Sequence, residues 1–172
     1  MTDVFSTEKR SAVMQRIRSA DTKPEILVRR LLFASGFRFR LRVKNLPGKP
    51  DVVLPKWKTV VFVNGCFWHQ HPGCRRATIP SSRKNYWLPK LKRNAERDAE
   101  EQAALIESGW RVLVVWECAC RKSFRDDLQR LMEEFIKGSC RFGWIERVQN
   151  GGCDSVVLSD AVRIETSPAS TL

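Results

Sequence analysis

A chain of 172 residues with 42% hydrophobic and 29% charged side chains has the balance of a soluble globular domain, long enough to bury a core without a disulfide or metal. No apolar run approaches the ~18 residues that suggest a membrane span, and the N-terminal stretch MTDVFSTEKRSAVMQ lacks the apolar centre of a secretory signal. A cytoplasmic protein is expected. In that compartment the six cysteines are thiols or metal ligands rather than disulfides.

The net charge of +12 is unevenly spread: residues 1–98 carry 22 Lys/Arg against 7 Asp/Glu, and residues 99–172 carry 9 against 12. A surplus so local suits a phosphate backbone, so the expected partner is a nucleic acid. No basic amphipathic helix stands out to suggest a membrane surface instead.

In chain order, residues 6–19 predict a helix with Val13 and Ile17 on one face and Met14 beside it. DTKPEILVRRLLFASG predicts a second, capped by Asp21 or Thr22, with Pro24 in its first turn and Gly36 as its stop; Glu25 falls at its start. FRFRLRV predicts a strand. DVVL, PKWK and TVVFV predict a hairpin in which Leu54 pairs with Thr59, which brings Asp51 opposite Phe62, near the carbonyls that end the second strand.

Residues 75–98 are basic and punctuated by aromatics, leading into a long polar helix that Pro89 starts or kinks and Gly109 ends. RVLVVWECAC reads as a buried strand with Cys118 and Cys120 at its end, and FRDDLQRLMEEFIKG as an amphipathic helix. Gly-, Ser- and Thr-rich residues 149–172 are expected to form a poorly ordered tail after a single domain at 1–148. Strands interleaved with helices predict an α/β domain with a mixed sheet: the hairpin pairs antiparallel, and the helix near 90–108 supports a parallel crossover.

The stretch NGCFWHQHPGC (64–74) concentrates chemistry. Cys66, His71 and Cys74 form C-x4-H-x2-C, ligand types that zinc prefers, and Cys118 or Cys120 can complete a tetrahedron. Four protein ligands make such a zinc structural rather than catalytic. Phe67 and Trp68 lie between two of the ligands, either held outward as wedges for a base step or packed in the core. His69, the other histidine, is left free for proton transfer.

DTKPE (21–25), LPGKPDVV (46–53), VFVNGCFWHQHPGC (61–74), YWLPKLKRNAERD (86–98) and GWRVLVVWEC (109–118) together resemble the very short patch repair (Vsr) DNA mismatch endonucleases of bacteria, over most of residues 5–138. The resemblance implies a restriction-endonuclease-like fold, a mixed β-sheet flanked by helices with a structural Zn²⁺. It also implies Mg²⁺-dependent nicking of duplex DNA 5′ to the T of a T:G mismatch left by deamination of 5-methylcytosine. By the same resemblance Asp51 and the backbone carbonyl of Val63 hold Mg²⁺, His69 is the base or water-positioning group, and Glu25 orients it through water on the metal. Cys118 becomes the fourth zinc ligand. Phe67, Trp68 and Trp87 resemble the family's wedge, and Met14, Lys90 and Asn94 its contacts to the mismatched pair.

The sequence also departs from the pattern. Pro50-Asp51 is not followed by an acid-x-lysine on the next strand, Val63 and Asn64 replace a threonine and a histidine, and Gly73 is an extra residue between the last two loop ligands. A monomer is expected from a single basic domain without heptads, with repair proteins acting on the nick implied by the family. The competing readings are a zinc-stabilised DNA-binding protein without catalysis and a restriction-type nuclease with another substrate preference.

Overall fold

A computed structural model describes residues 20–150 and 153–160. The helix expected over 6–19, Met14 included, lies outside the described residues.

Among the described residues three α-helices and five strands follow one another as α1 (Lys23–Ala34), β1 (Val52–Leu54), β2 (Thr59–Asn64), α2 (Lys84–Glu107), β3 (Arg111–Trp116), α3 (Arg125–Lys137), β4 (Phe142–Asn150) and β5 (Cys153–Asp160). The strands form one sheet in the order β1-β2-β3-β4-β5. β1 and β2 are antiparallel, β2, β3 and β4 run parallel, and β5 returns antiparallel to β4. This is the expected mixed α/β sheet, with α2 spanning the first parallel crossover and α3 the second. Among the described residues no helix is long and apolar enough to cross a membrane.

Helices cover both faces, which is why β2 and β3 read as nearly unbroken runs of branched residues. Val61, Leu113, Val115 and Ile145 point to the face packed by Leu31 of α1 and Leu128, Met132 and Phe135 of α3. Val60, Val112 and Val114 point to the other, against Leu105 of α2. α1 and α2 both end on a glycine with positive φ: beyond Gly36 (φ +82°) the Phe37 N–H returns to the Leu32 carbonyl, and beyond Gly109 (φ +81°) the Trp110 N–H returns to Leu105. Arg111, at the start of β3, donates to the carbonyls of Phe135 and Ile136 and so caps the exit of α3.

The hairpin register is the expected one, Leu54 opposite Thr59 and Val52 opposite Val61. FRFRLRV does not form a strand. Arg40 makes a single bridge to Val53, and Arg42 then takes a positive φ of 55°, because a three-residue β1 offers no ladder to extend. α2 begins five residues before Pro89 and runs through it. The missing Pro89 N–H leaves the carbonyl of the exposed Asn85 to water, so the helix continues.

The boundary expected at residue 148 falls inside β4, and the stretch read as tail supplies an edge strand. Val156 and Leu158 alternate inward and are buried, with Leu158 opposite the buried Ile145. Glycine and serine around them masked a period-two pattern. Leu158→Ala is expected to cost about 2–4 kcal/mol, the range for a core leucine, in chemical denaturation. An unchanged midpoint would mean that β5 adds nothing to the core.

Candidate active site and metal centre

The C-terminal ends of the parallel strands β2 and β3 carry nearly all the chemistry, which is where open α/β sheets bind ligands. Asp51 precedes β1 and lies alongside the end of β2, where the Val63 N–H donates to its Oδ2 at 2.7 Å. Burial pushes its carboxyl up to about 6; the Val63 N–H opposes that shift and the charge of Glu25 adds to it.

Glu25 is buried at the start of α1, tied to its N-cap Thr22 through both backbone and side chain. Its backbone N–H donates to the Thr22 hydroxyl, and that hydroxyl donates back to Glu25 Oε1 at 2.8 Å. Oε2 accepts from the Asp21 N–H at 2.9 Å and from Arg29 at 2.8 Å. The helix-start role and the site role therefore coincide: Glu25, Asp51, Val63 and His69 line one cavity of about 700 Å³, with Lys44, Lys49 and Arg97 also on its wall.

His69 stands on the loop after β2, its N–H bonded to the Gly65 carbonyl at 3.1 Å. Its Nδ1 lies 2.5 Å from Asp98 Oδ2. A carboxylate at Nδ1 keeps a proton there and leaves Nε2 as the basic atom. Sequence reading missed Asp98, although a signal existed. Trp87, Lys90, Asn94 and Asp98 recur at spacings of three and four, which puts them on one face of α2.

That face meets the loop. Phe67, Trp68 and Trp87 are half-buried and pack edge-on or tilted with centroids 5.0–5.9 Å apart, and none belongs to either core cluster. The ammonium of Lys90 lies 5.6 Å from the ring centres of Trp68 and Trp87 and 5.3 Å from that of Tyr86. Asn94 donates to the Trp68 carbonyl at 3.1 Å, bracing the loop from α2. Tyr86, exposed beside Trp87, joins this cluster.

On the far side of the loop the ligand atoms of Cys66, His71, Cys74 and Cys118 all lie within 4.8 Å of one another. The Cys118 Sγ to His71 Nδ1 distance is 3.5 Å, which matches the edge of about 3.5 Å between sulfur and nitrogen in a zinc tetrahedron. Cys120 stays outside the cluster, its thiol turned to the Trp116 carbonyl. The choice between Cys118 and Cys120 thus falls to Cys118: the chain leaves β3 in a short 3-10 turn over Glu117–Ala119 that buries Cys118 toward the loop.

The thiol of Cys118 is held down at about 4, first by the hydrogen bond from Cys66 and then, against burial, by His71 and the Arg147 N–H. Burial works against charge on His71, yet Cys118 and Glu146 hold it up at about 10. A metal entering this cluster therefore displaces protons from its ligands. Donor set and spacing fit zinc.

Carboxylates and an imidazole gathered within a wall of lysine and arginine are what phosphodiester hydrolysis asks of a protein, so the site belongs to the nuclease class. Comparison with known proteins agrees. A family model described as DNA mismatch endonuclease Vsr matches residues 2–76. The type II nicking enzyme V.NmeAIP of Neisseria meningitidis serogroup A is 49% identical over 136 residues, covering 78% of this chain and 96% of that protein. V.XorIIP of Xanthomonas oryzae pv. oryzae is 53% identical over 118 residues, 69% of this chain and 86% of its own. The DNA mismatch endonuclease Vsr of Escherichia coli is 41% identical over 141 residues, 80% and 90% respectively. This chain belongs to the Vsr family of DNA endonucleases.

Proposed function

We propose that the protein nicks duplex DNA on the 5′ side of the T in a T:G mismatch, in a Mg²⁺-dependent hydrolysis that opens repair of deaminated 5-methylcytosine. The observation that carries this reading is one cavity shared by Asp51, Glu25 and the His69–Asp98 pair, with a cluster of aromatic rings and a lysine directly beside it. Nicking and mismatch cleavage are also the activities that the names of its relatives carry.

Asp51 and the carbonyl of Val63 would hold the Mg²⁺. In an extended strand a residue's N–H and C=O point to the same edge, and the Val63 N–H already meets Asp51. When bound there, the ion supplies Lewis-acid polarisation of the scissile phosphate and neutralises its developing charge. His69 Nε2 takes a proton from the attacking water while Asp98 holds the ring and stabilises the imidazolium that forms. Glu25, with donors on both oxygens, is held in place at the cavity wall beside Asp51. Lys44, Lys49 and Arg97 neutralise backbone phosphates.

Phe67, Trp68 and Trp87 enter the stack beside the mismatch, unstacking that costs a few kcal/mol and is cheapest where pairing is already poor. Lys90 and Asn94 on the same helix face read the mispaired bases, and Met14 is assigned with them from the family resemblance. Zn²⁺ on Cys66, His71, Cys74 and Cys118 braces the loop that carries both the wedge and His69. The enzyme acts in the cytoplasm as a monomer, and proteins that process a nick follow it.

A duplex with one T:G pair and the matched T:A duplex, each with Mg²⁺, form the test. Cleavage confined to the T:G strand is expected; equal cutting of both would replace the reading with a restriction-type nuclease, and cutting of neither with a binding protein. Asp98→Asn should lower the T:G rate roughly 10²-fold, within the range of general-base contributions, by disturbing the His69 tautomer without displacing the ring. Single-turnover rates at saturating enzyme check it, and a wild-type rate would remove Asp98 from the mechanism.

A further inference from the structure

His71 is held on both of its nitrogens. Nδ1 faces the Cys118 sulfur at 3.5 Å, and Nε2 lies 2.8 Å from Glu146 Oε2. The other oxygen of that carboxylate, Oε1, accepts from the indole N–H of Trp144 at 2.7 Å. Trp116 stacks on the imidazole, ring centres 4.1 Å apart and planes 9° from parallel. The next residue along β4 also serves the cluster: the Arg147 N–H points at the Cys118 sulfur at 3.5 Å.

We propose that Glu146 is the positioning residue of the zinc centre, fixing His71 as an Nδ1 ligand by accepting a hydrogen bond from its Nε2–H, and that β4 thereby forms the outer wall of the site. The inference rests on the reading of Cys66, His71, Cys74 and Cys118 as a zinc site. Its chemistry is general: a ligating imidazole that donates its remaining N–H to a carboxylate is fixed in tautomer and orientation and made a better donor. Trp144 fixes the carboxylate in turn, so ring, carboxylate and indole form one directed chain from metal ligand to sheet.

The arrangement also links the two histidines. His69 is pinned by Asp98 from α2 and His71 by Glu146 from β4, and both pairs line one cavity of about 420 Å³. The loop that presents His69 is thus clamped from two elements, α2 and β4.

Zinc affinity of the purified full chain, measured by competition with a chromophoric chelator, tests the proposal, together with the visible ligand-field bands of the cobalt(II)-substituted protein. Glu146→Ala should weaken zinc roughly 10–100-fold, the usual cost of removing an outer partner of a metal-bound histidine. Glu146→Gln, whose amide oxygen can still accept the N–H, should fall between it and wild type, and the cobalt bands should shift in the same order. Asp154→Ala breaks the ion pair to Arg147 on the same hairpin from the exposed side, away from the cluster, and should leave affinity within about twofold of wild type.

If Glu146→Ala does not fold, Glu146→Gln and Trp144→Phe carry the test, the latter removing one hydrogen bond to the carboxylate. Wild-type affinity in the Glu146 variants overturns the proposal while leaving the zinc reading intact. So does a loss in Asp154→Ala equal to that in Glu146→Ala, which would mean that hairpin stability alone is being measured. A wild-type protein that takes up neither zinc nor cobalt overturns both.

Discussion

Asp51→Ala is expected to lower the single-turnover rate of T:G nicking roughly 10³-fold or more, since losing several kcal/mol of charge stabilisation removes a factor of ten per ~1.4 kcal/mol. Binding of the same duplex should stay close to wild type. On the proposed reading, affinity would come from the basic half of the chain and the aromatic cluster, and Asp51 itself would oppose a phosphate. Gel-shift and rate measurements on one preparation separate the two effects, and a variant that still nicks at the wild-type rate would remove Asp51 from the chemistry.

The same carboxyl sets a pH dependence. Its pKa is raised to about 6 by burial and by Glu25, so as pH falls through about 6 the group takes up a proton that the metal must displace. The Mg²⁺ concentration for half-maximal nicking should rise below that pH and level off above it. A requirement that does not change with pH would show that the ion is held elsewhere.

Cys118→Ser should empty the zinc centre, while Cys120→Ser, two residues on, should leave it full. Cys118 is buried among Cys66, His71 and Cys74, whereas Cys120 lies outside the cluster. With free zinc a thousandfold above its dissociation constant the bound ion contributes about 4 kcal/mol. At about 2–4 °C per kcal/mol for a domain of this size, the melting temperature should drop roughly 8–16 °C. Metal analysis and thermal unfolding in the presence of zinc check the pair. The domain should remain folded, because the two core layers flanking the sheet do not depend on the cluster. Nicking should fall as well, since Phe67, Trp68 and His69 all sit between Cys66 and His71 of the Cys/His cluster. Equal zinc content in both variants would refute the assignment.

Local chemistry was legible in the sequence. Thr22, Pro24 and Gly36 bounded α1, and the Pro-led turn fixed the register that set Asp51 beside the end of β2. The density of Cys and His in residues 66–74 marked the loop that carries three members of the Cys/His cluster. These features are short-range, and their geometry follows from backbone chemistry within a few residues.

Tertiary structure decided the rest. Whether Cys118 or Cys120 meets the loop depends on a single 3-10 turn after β3. That Phe67 and Trp68 stay out of both core clusters follows from their packing against Trp87, nearly twenty residues away, rather than against the sheet. Asp98 and Glu146 were unassigned because a carboxylate's role depends on the imidazole it reaches across space, 29 and 75 residues distant in sequence. β5 was mistaken for tail because glycine and serine dilute its composition, while register against β4 is what buries Val156 and Leu158. Residue types and their spacing thus show which side chains could do chemistry and where the chain must turn. Only the folded sheet, by bringing β2, β3, β4 and α2 to one edge, decided which of them face one another, because pairing across long separations is set by packing and not by propensity.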